Sequence, residues 1–166
     1  MIIKYQKYKF TIEASEPLVL PNYKGSTFRG AFGNAFRRVV CALKRNDCRE
    51  CLLKTRCVYV YVFETLPPDG TEIMGMNKYE AVPHPFVIEP PAENRSTYNT
   101  GDNLHFNLIL AGKGIDYLPY FIYTFEELGN IGIGKGRGKY KLLSVKDGDD
   151  PVYSIEDKIF RNTASQ

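Results

Sequence analysis

Two groups of residues in this chain have the types and spacing that chemistry needs. The first is the run from Gly129 to Lys141, Gly-Asn-Ile-Gly-Ile-Gly-Lys-Gly-Arg-Gly-Lys-Tyr-Lys, in which Gly132, Gly134, Gly136 and Gly138 alternate with Ile133, Lys135, Arg137 and Lys139. Glycine takes positive φ and lets another chain approach closely, and the interleaved cations stand where that approach happens. A loop built this way suits a polyanionic backbone. The second group is Cys41, Cys48, Cys51 and Cys57, a C-x6-C-x2-C-x5-C pattern. Four thiolates this close in sequence can surround one ion tetrahedrally, with Cys48 and Cys51 as a two-ligand knuckle. Cysteine ligation suits a zinc ion and a 4Fe-4S cluster alike. The alternative is four free or opportunistically oxidised thiols.

Spacing tests the glycine run against two phosphate motifs. Gly129 and Gly134-Lys135 match the first part of a P-loop, but Gly136 stands where its Ser or Thr belongs. The segment that follows (Tyr140, Leu142, Val145) reads as a strand, whereas a P-loop opens a helix. No register satisfies G-x-G-x-x-G either, so mononucleotide and dinucleotide binding are disfavoured. The plain alternative is a solvated, flexible connection between a helix and a strand.

The rest of the chain must position these groups. Its 166 residues suit one domain with one sizeable core, and its 43% hydrophobic and 25% charged residues are those of a soluble globular protein. No apolar run approaches the roughly 20 residues that span a bilayer, so no membrane partner is expected. The first residues alternate like a strand and lack the apolar core of a signal peptide. A cytoplasmic location is the expectation, and there four cysteines point to metal or redox chemistry before disulfides.

The net charge of +3 conceals a strong asymmetry. Residues 24–57 carry nine Lys/Arg against Asp47 and Glu50, a net +7, and residues 135–146 add five cations and no acid. The remainder therefore carries −9. Cations gathered in two segments of an otherwise acidic chain read as a nucleic-acid footprint.

Periodicity gives the elements. Tyr5 to Ala14 alternates as a first strand, and Ser26 or Thr27 can cap a helix with Phe28, Phe32, Ala35, Phe36, Val39, Val40 and Leu43 on one stripe. Val58 to Phe63 and Phe86 to Ile88 read as strands. Leu104, Phe106, Leu108 and Leu110 alternate in another. A second helix carries Leu118, Phe121, Ile122, Phe125 and Leu128, and a closing strand runs from Tyr140 to Val145. Residues 66–85 and 90–102 read as surface excursions. The expected fold class is α+β, a ferredoxin-like (RRM-like) β-α-β-β-α-β antiparallel sheet with a four-cysteine insertion after the first helix. The domain runs over residues 1–147 with the insertion at about 41–57. Residues 148–166 read as an acidic and polar tail or a truncated linker to a second domain. Two helices would cover one sheet face and leave the other open, the face on which RNA-recognition domains bind single strands.

At this point a family resemblance appears. Lys24-Gly-Ser-Thr-Phe-Arg-Gly-Ala-Phe-Gly resembles the helix start of CRISPR-associated RAMP proteins, and Gly132 to Lys141 resembles their glycine-rich loop before the last strand. The pairing of Pro85-Phe-Val-Ile-Glu-Pro-Pro91 with Gly101-Asp102 is similar to the subgroup related to the precursor-processing endoribonucleases. The resemblance covers roughly residues 5–146. It implies a ferredoxin-like fold, often paired in tandem, and a role in antiviral defense through CRISPR repeat or guide RNA, with other CRISPR effector subunits as further partners. The RNA-binding set expected from the basic segments and the glycine loop is Lys24, Arg29, Arg37, Gly132, Gly134, Lys135, Gly136, Arg137, Gly138, Lys139 and Lys141. The cysteine spacing is also that of the 4Fe-4S loop in endonuclease III-type DNA glycosylases, whose catalytic context is not evident here.

No catalytic residue is assigned. Metal-independent RNA cleavage needs a general base and cations on the phosphate. Of the two histidines, His84 stands between prolines as a turn residue, and His105 alternates with the apolar face of its strand. Tyr23 and Tyr140, flanking the cationic segments, are the candidates for base stacking. The expected function is recognition of repeat RNA within a processing endoribonuclease. One alternative is a non-cutting RAMP subunit that holds guide RNA. Another is a four-cysteine metal-cluster protein that binds DNA or a protein partner.

Overall fold

Tyr8, Phe10, Ile12 and Ala14 alternate with Lys7, Lys9, Thr11 and Glu13, and that period of two gives β1 (Tyr5–Ala14) one buried and one open face. The computed structural model describes residues 3–44, 47–66 and 83–162. β5 (Asn103–Ala111) repeats the pattern and lies antiparallel to β1, with Phe10 opposite Phe106 and Thr11 opposite His105. β6 (Tyr140–Asp147) pairs with the other edge of β1, and β3 (Phe86–Glu89) pairs with β5. β7 (Asp150–Ser154) adds a fifth strand, giving an antiparallel sheet in the order β3-β5-β1-β6-β7. Its Val152 and Tyr153 are buried. Residues 150–154 are therefore part of the sheet and not a tail, because two adjacent apolar side chains close the core beside β6.

Two helices cover the buried face. α1 (Gly25–Val40) buries Phe28, Phe32, Ala35 and Phe36 at helical spacing. α2 (Leu118–Ile131) buries Leu118, Phe121, Ile122, Phe125 and Leu128. The Phe32 ring lies 5.0–5.6 Å from those of Phe36, Phe86, Phe121 and Phe125, and Phe125 reaches Phe10 and Phe106 of the sheet. These aromatics hold helices to strands, as their stripe implies. α1 opens on Lys24 with no side-chain cap, so neither Ser26 nor Thr27 plays that part.

Two local readings change. Val58 to Phe63 is not a strand. Val60–Glu64 forms a π-helical turn, and Tyr59 stacks on Phe63 at 5.5 Å, neighbours four apart on a helical path. A short apolar run does not by itself distinguish strand from helix. The excursion at 90–102 contains β4 (Thr97–Tyr98), which pairs with β2 (Leu18–Val19) in a separate two-stranded sheet. Most of the excursion at 66–85 lies outside the described residues. Among the described residues, no helix is long and apolar enough to cross a membrane.

Candidate nucleic-acid interface

The glycine run folds into a tight hairpin. Ile133 pairs with Gly138, and the Arg137 N–H donates to the Gly134 carbonyl at 3.2 Å, closing a turn. Gly136, at φ +79°, occupies the position that a type II turn reserves for positive φ. The hairpin also docks on β2, where the Lys135 N–H donates to the Val19 carbonyl at 2.9 Å. A Cβ on Gly134 would stand 2.3 Å from that carbonyl oxygen, and one on Gly138 would stand 2.4 Å from the Pro17 carbonyl oxygen. The chain that approaches these glycines is thus the protein's own β2 segment. Gly132 and Gly138 are buried, whereas a Cβ on Gly136 would meet nothing within 4 Å. Between Gly132 and Gly138, only the tip, Lys135-Gly136-Arg137, is exposed.

The hairpin forms one wall of a cavity of about 850 Å³ whose other wall is the C-terminal half of α1. Asn34, Arg37, Arg38 and Cys41 line it from one helix stripe at i, i+3, i+4 and i+7, and Lys44 follows from the next segment. Leu128, Ile131, Gly132, Ile133, Gly134 and Arg137 line the opposite side, and Ala31 and Ala35 keep the groove concave. Cations from both basic segments of the sequence meet here, and none of these lining residues is a carboxylate. Arg37 also lies over the Tyr59 ring, its guanidinium carbon 5.4 Å from the centroid. Lys44 and Arg137 both hold positive φ, 49° and 51°, where a side chain is strained. Arg38 and Lys44 belong to the groove although the sequence argument nominated neither. The signal for Arg38 was the polar stripe 34/37/38/41 on α1, opposite its apolar face, whereas Lys44 lies beyond the helix and had no such periodicity to mark it.

The remaining candidates lie elsewhere. Lys24 is fully buried; its ammonium donates to the Glu93 carbonyl at 2.8 Å and the Asn22 carbonyl at 3.4 Å. That is a correction, because an ammonium satisfied by backbone carbonyls is not presented to phosphate. Arg29 is exposed, stacks on Phe63 at 5.1 Å and donates from Nη2 to His84 Nε2 at 2.9 Å. Lys139 and Lys141 are exposed, and Lys141 sits opposite Glu13 on β1. Tyr140 is no stacking platform, since its ring is buried and its hydroxyl donates to the Phe125 carbonyl at 2.7 Å. Tyr23 is 73% exposed and remains available.

The open sheet face carries Lys7, Lys9, Thr11 and Glu13 beside His105, Asn107 and Ile109. Tyr5, 68% exposed at the start of β1, is the aromatic on this face, and Lys7 is paired with Glu89 at 2.6 Å. His105 shares a 3.0 Å hydrogen bond with Thr11. Burial, then the charge of Lys9, holds its ring below the usual histidine pKa. His84 is lowered in the same way, by burial first and Arg29 second. Neither histidine lines the groove.

Cys41, Cys48, Cys51 and Cys57 are all free and half-buried. Burial, chiefly, and then Glu64 raise the Cys48 thiol, while Arg37 lowers it; Cys57 and Cys41 add smaller upward contributions. Among the described residues no three metal-ligating side chains converge on one point.

An antiparallel α+β domain whose first helix and glycine hairpin enclose a cation-lined groove defines the class. The chain belongs to the family described as AF_1859_N, N-terminal domain, whose model matches residues 3–165. An uncharacterized protein of Archaeoglobus fulgidus is 28% identical over 149 residues, 88% of this chain, and the chain spans 48% of that relative's length. The crystal structure of the Csm3-Csm4 subcomplex in the type III-A CRISPR-Cas interference complex resembles it with a TM-score of 0.54 at 16% identity. The match covers 98% of this chain and 100% of the matched one. At that identity the likeness is one of fold.

Proposed function

We propose that this chain is a CRISPR-associated RNA-binding domain that holds the phosphate backbone of repeat or guide RNA in the groove between α1 and the glycine hairpin. One observation carries the reading: Lys44 of the first cationic segment and Arg137 of the second, some ninety residues apart in sequence, line the same cavity, with no carboxylate among its described lining residues. A cleft lined by one sign of charge focuses its field on an approaching polyanion. Lys44 and Arg137 add to this, because each keeps a cation at a positive φ that glycine or asparagine would take at lower cost.

The fold likeness to a CRISPR interference subcomplex supports the same class of partner, RNA and neighbouring effector subunits. The order β3-β5-β1-β6, with α1 after β1 and α2 after β5, supports the ferredoxin-like arrangement of RAMP proteins. On that reading the cysteine segment is an insertion between α1 and β3. Binding is favoured over cutting, because cleavage without a metal needs a general base beside the phosphate and no histidine lines the groove. The endoribonuclease reading rests on the Arg29–His84 contact, which sets a neutral imidazole against a cation.

Fluorescence anisotropy with labelled single-stranded repeat RNA tests the proposal. Arg38→Ala combined with Arg137→Ala weakens binding at least tenfold, while Lys113→Ala, on the 3-10 turn Gly112–Tyr117 away from the groove, does not. Equal affinity of the double variant and the parent overturns it. Incubating the same RNA with protein and chelator separates the two readings: cleavage lost on His84→Ala supports the endoribonuclease, and intact RNA supports binding alone.

A further inference from the structure

The described residues between Cys41 and Cys57 bury little apolar surface. Leu43, Leu52 and Leu53 are 43%, 83% and 43% exposed, and Arg49, Lys54 and Arg56 add cations. A segment that buries so little must draw its order from something other than packing. Its cysteines are nevertheless anchored where a clip would serve. Cys41 caps α1, its N–H donating to the Arg37 carbonyl at 3.0 Å. Cys57 opens the path into the π-helical turn, its carbonyl accepting from the Tyr61 N–H at 3.0 Å. Between them, the Cys51 N–H donates to the Cys48 carbonyl at 3.3 Å, a turn with a thiol at each end. Cys48 and Cys57 also pack against the core.

We propose that Cys41, Cys48, Cys51 and Cys57 together bind one thiolate-held metal centre, a zinc ion or a 4Fe-4S cluster. Binding draws the 48–51 turn onto the two anchored thiols, with each thiol giving up its proton to solvent as it ligates. The centre closes the segment between α1 and the π-helical turn into a loop pinned at both ends. Because Cys41 also lines the groove, that loop then forms one rim of it. The inference rests on the cysteines alone and stands whether or not the groove takes RNA.

The test uses the full chain purified without oxygen and without added metal. Elemental analysis and visible absorption give either about one zinc per chain and no colour, or about four irons with the brown thiolate-to-iron absorption. Ellman's reagent then finds the four thiols protected in the native protein and reactive once a chelator (for iron, an oxidant as well) is added. Cys48→Ser and Cys51→Ser lose the metal while the far-ultraviolet circular dichroism of the sheet persists. If a variant does not fold, the protection of the parent's thiols carries the test. A chain with less than a tenth of an equivalent of metal, with all four thiols reacting at once and no uptake of zinc, cobalt(II) or reconstituted cluster, overturns the proposal. RNA binding is measured separately, so failure here leaves the groove untouched.

Discussion

Alanine at Gly134 and at Gly136 should have very different effects, although both glycines hold nearly the same φ, +76° and +79°, in the same turn. An L-residue in the left-handed region costs about 1–2 kcal/mol. At Gly136 that is the whole cost, because the added Cβ meets nothing within 4 Å. At Gly134 the Cβ stands 2.3 Å from the Val19 carbonyl oxygen and 2.8 Å from Leu20 Cδ2. Relieving that overlap moves β2, beside the fully buried Leu18, and weakens the hydrogen bond from the Lys135 N–H to Val19. Overpacking costs about 1–3 kcal/mol and the hydrogen bond about 1 kcal/mol. Gly134→Ala should therefore lose about 3–6 kcal/mol in all. Thermal unfolding reads the difference directly: at about 2–4 °C per kcal/mol for a domain of this size, Gly134→Ala melts well over twice as far below the parent as Gly136→Ala. Equal losses would refute the claim that Gly134 serves contact with β2.

Lys24→Met keeps the buried stem but leaves the Glu93 and Asn22 carbonyls without their donor; it should cost about 1–3 kcal/mol by urea unfolding and leave RNA affinity unchanged below the melting range. Phe32→Ala removes the ring at the centre of the aromatic cluster and should cost about 3–5 kcal/mol, a loss that denaturant midpoints would show. The pH dependence of melting has a definite sign. Burial and Arg29 hold His84 below its ordinary value of 6.5, so the unfolded chain takes the proton first as pH falls. The stability tied to His84 is fully present above about pH 6.5 and is lost below it, until the lower pKa of the folded state is passed. His84→Gln should flatten the acid side of the melting profile, though not abolish it, since His105 shifts in the same direction. An unchanged profile would remove His84 from the account.

The larger elements were legible because their patterns are redundant. Tyr8-Phe10-Ile12-Ala14 on β1 and Phe28-Phe32-Ala35-Phe36 on α1 each repeat one period often enough to exclude the other. Val58 to Phe63 offered six residues without such repetition, and there Tyr59 and Phe63 stack four apart along a helical path. β2 and β4, at two residues each, are too short to show a period, and their pairing of the buried Leu18 with the buried Tyr98 joins segments some eighty residues apart. The site was half legible. Charge clustering marked both of its walls, but chain topology chose which cations face each other. Lys24 belonged by sequence to the basic segment, and only the carbonyls of Asn22 and Glu93 show where its charge goes. The glycines were read as openings for a ligand, whereas most of that space holds the protein's own β2.

The salt dependence of RNA binding tests the central claim most directly. Each phosphate neutralised on a single strand contributes about −0.7 to the slope of log K against log salt. With Arg37, Arg38, Lys44 and Arg137 lining the groove, the slope should be about −2 to −3, becoming shallower by about 1.4 in the Arg38→Ala/Arg137→Ala double variant. A parent slope near zero, or a double variant with the parent's slope, would contradict the groove as the place where RNA binds.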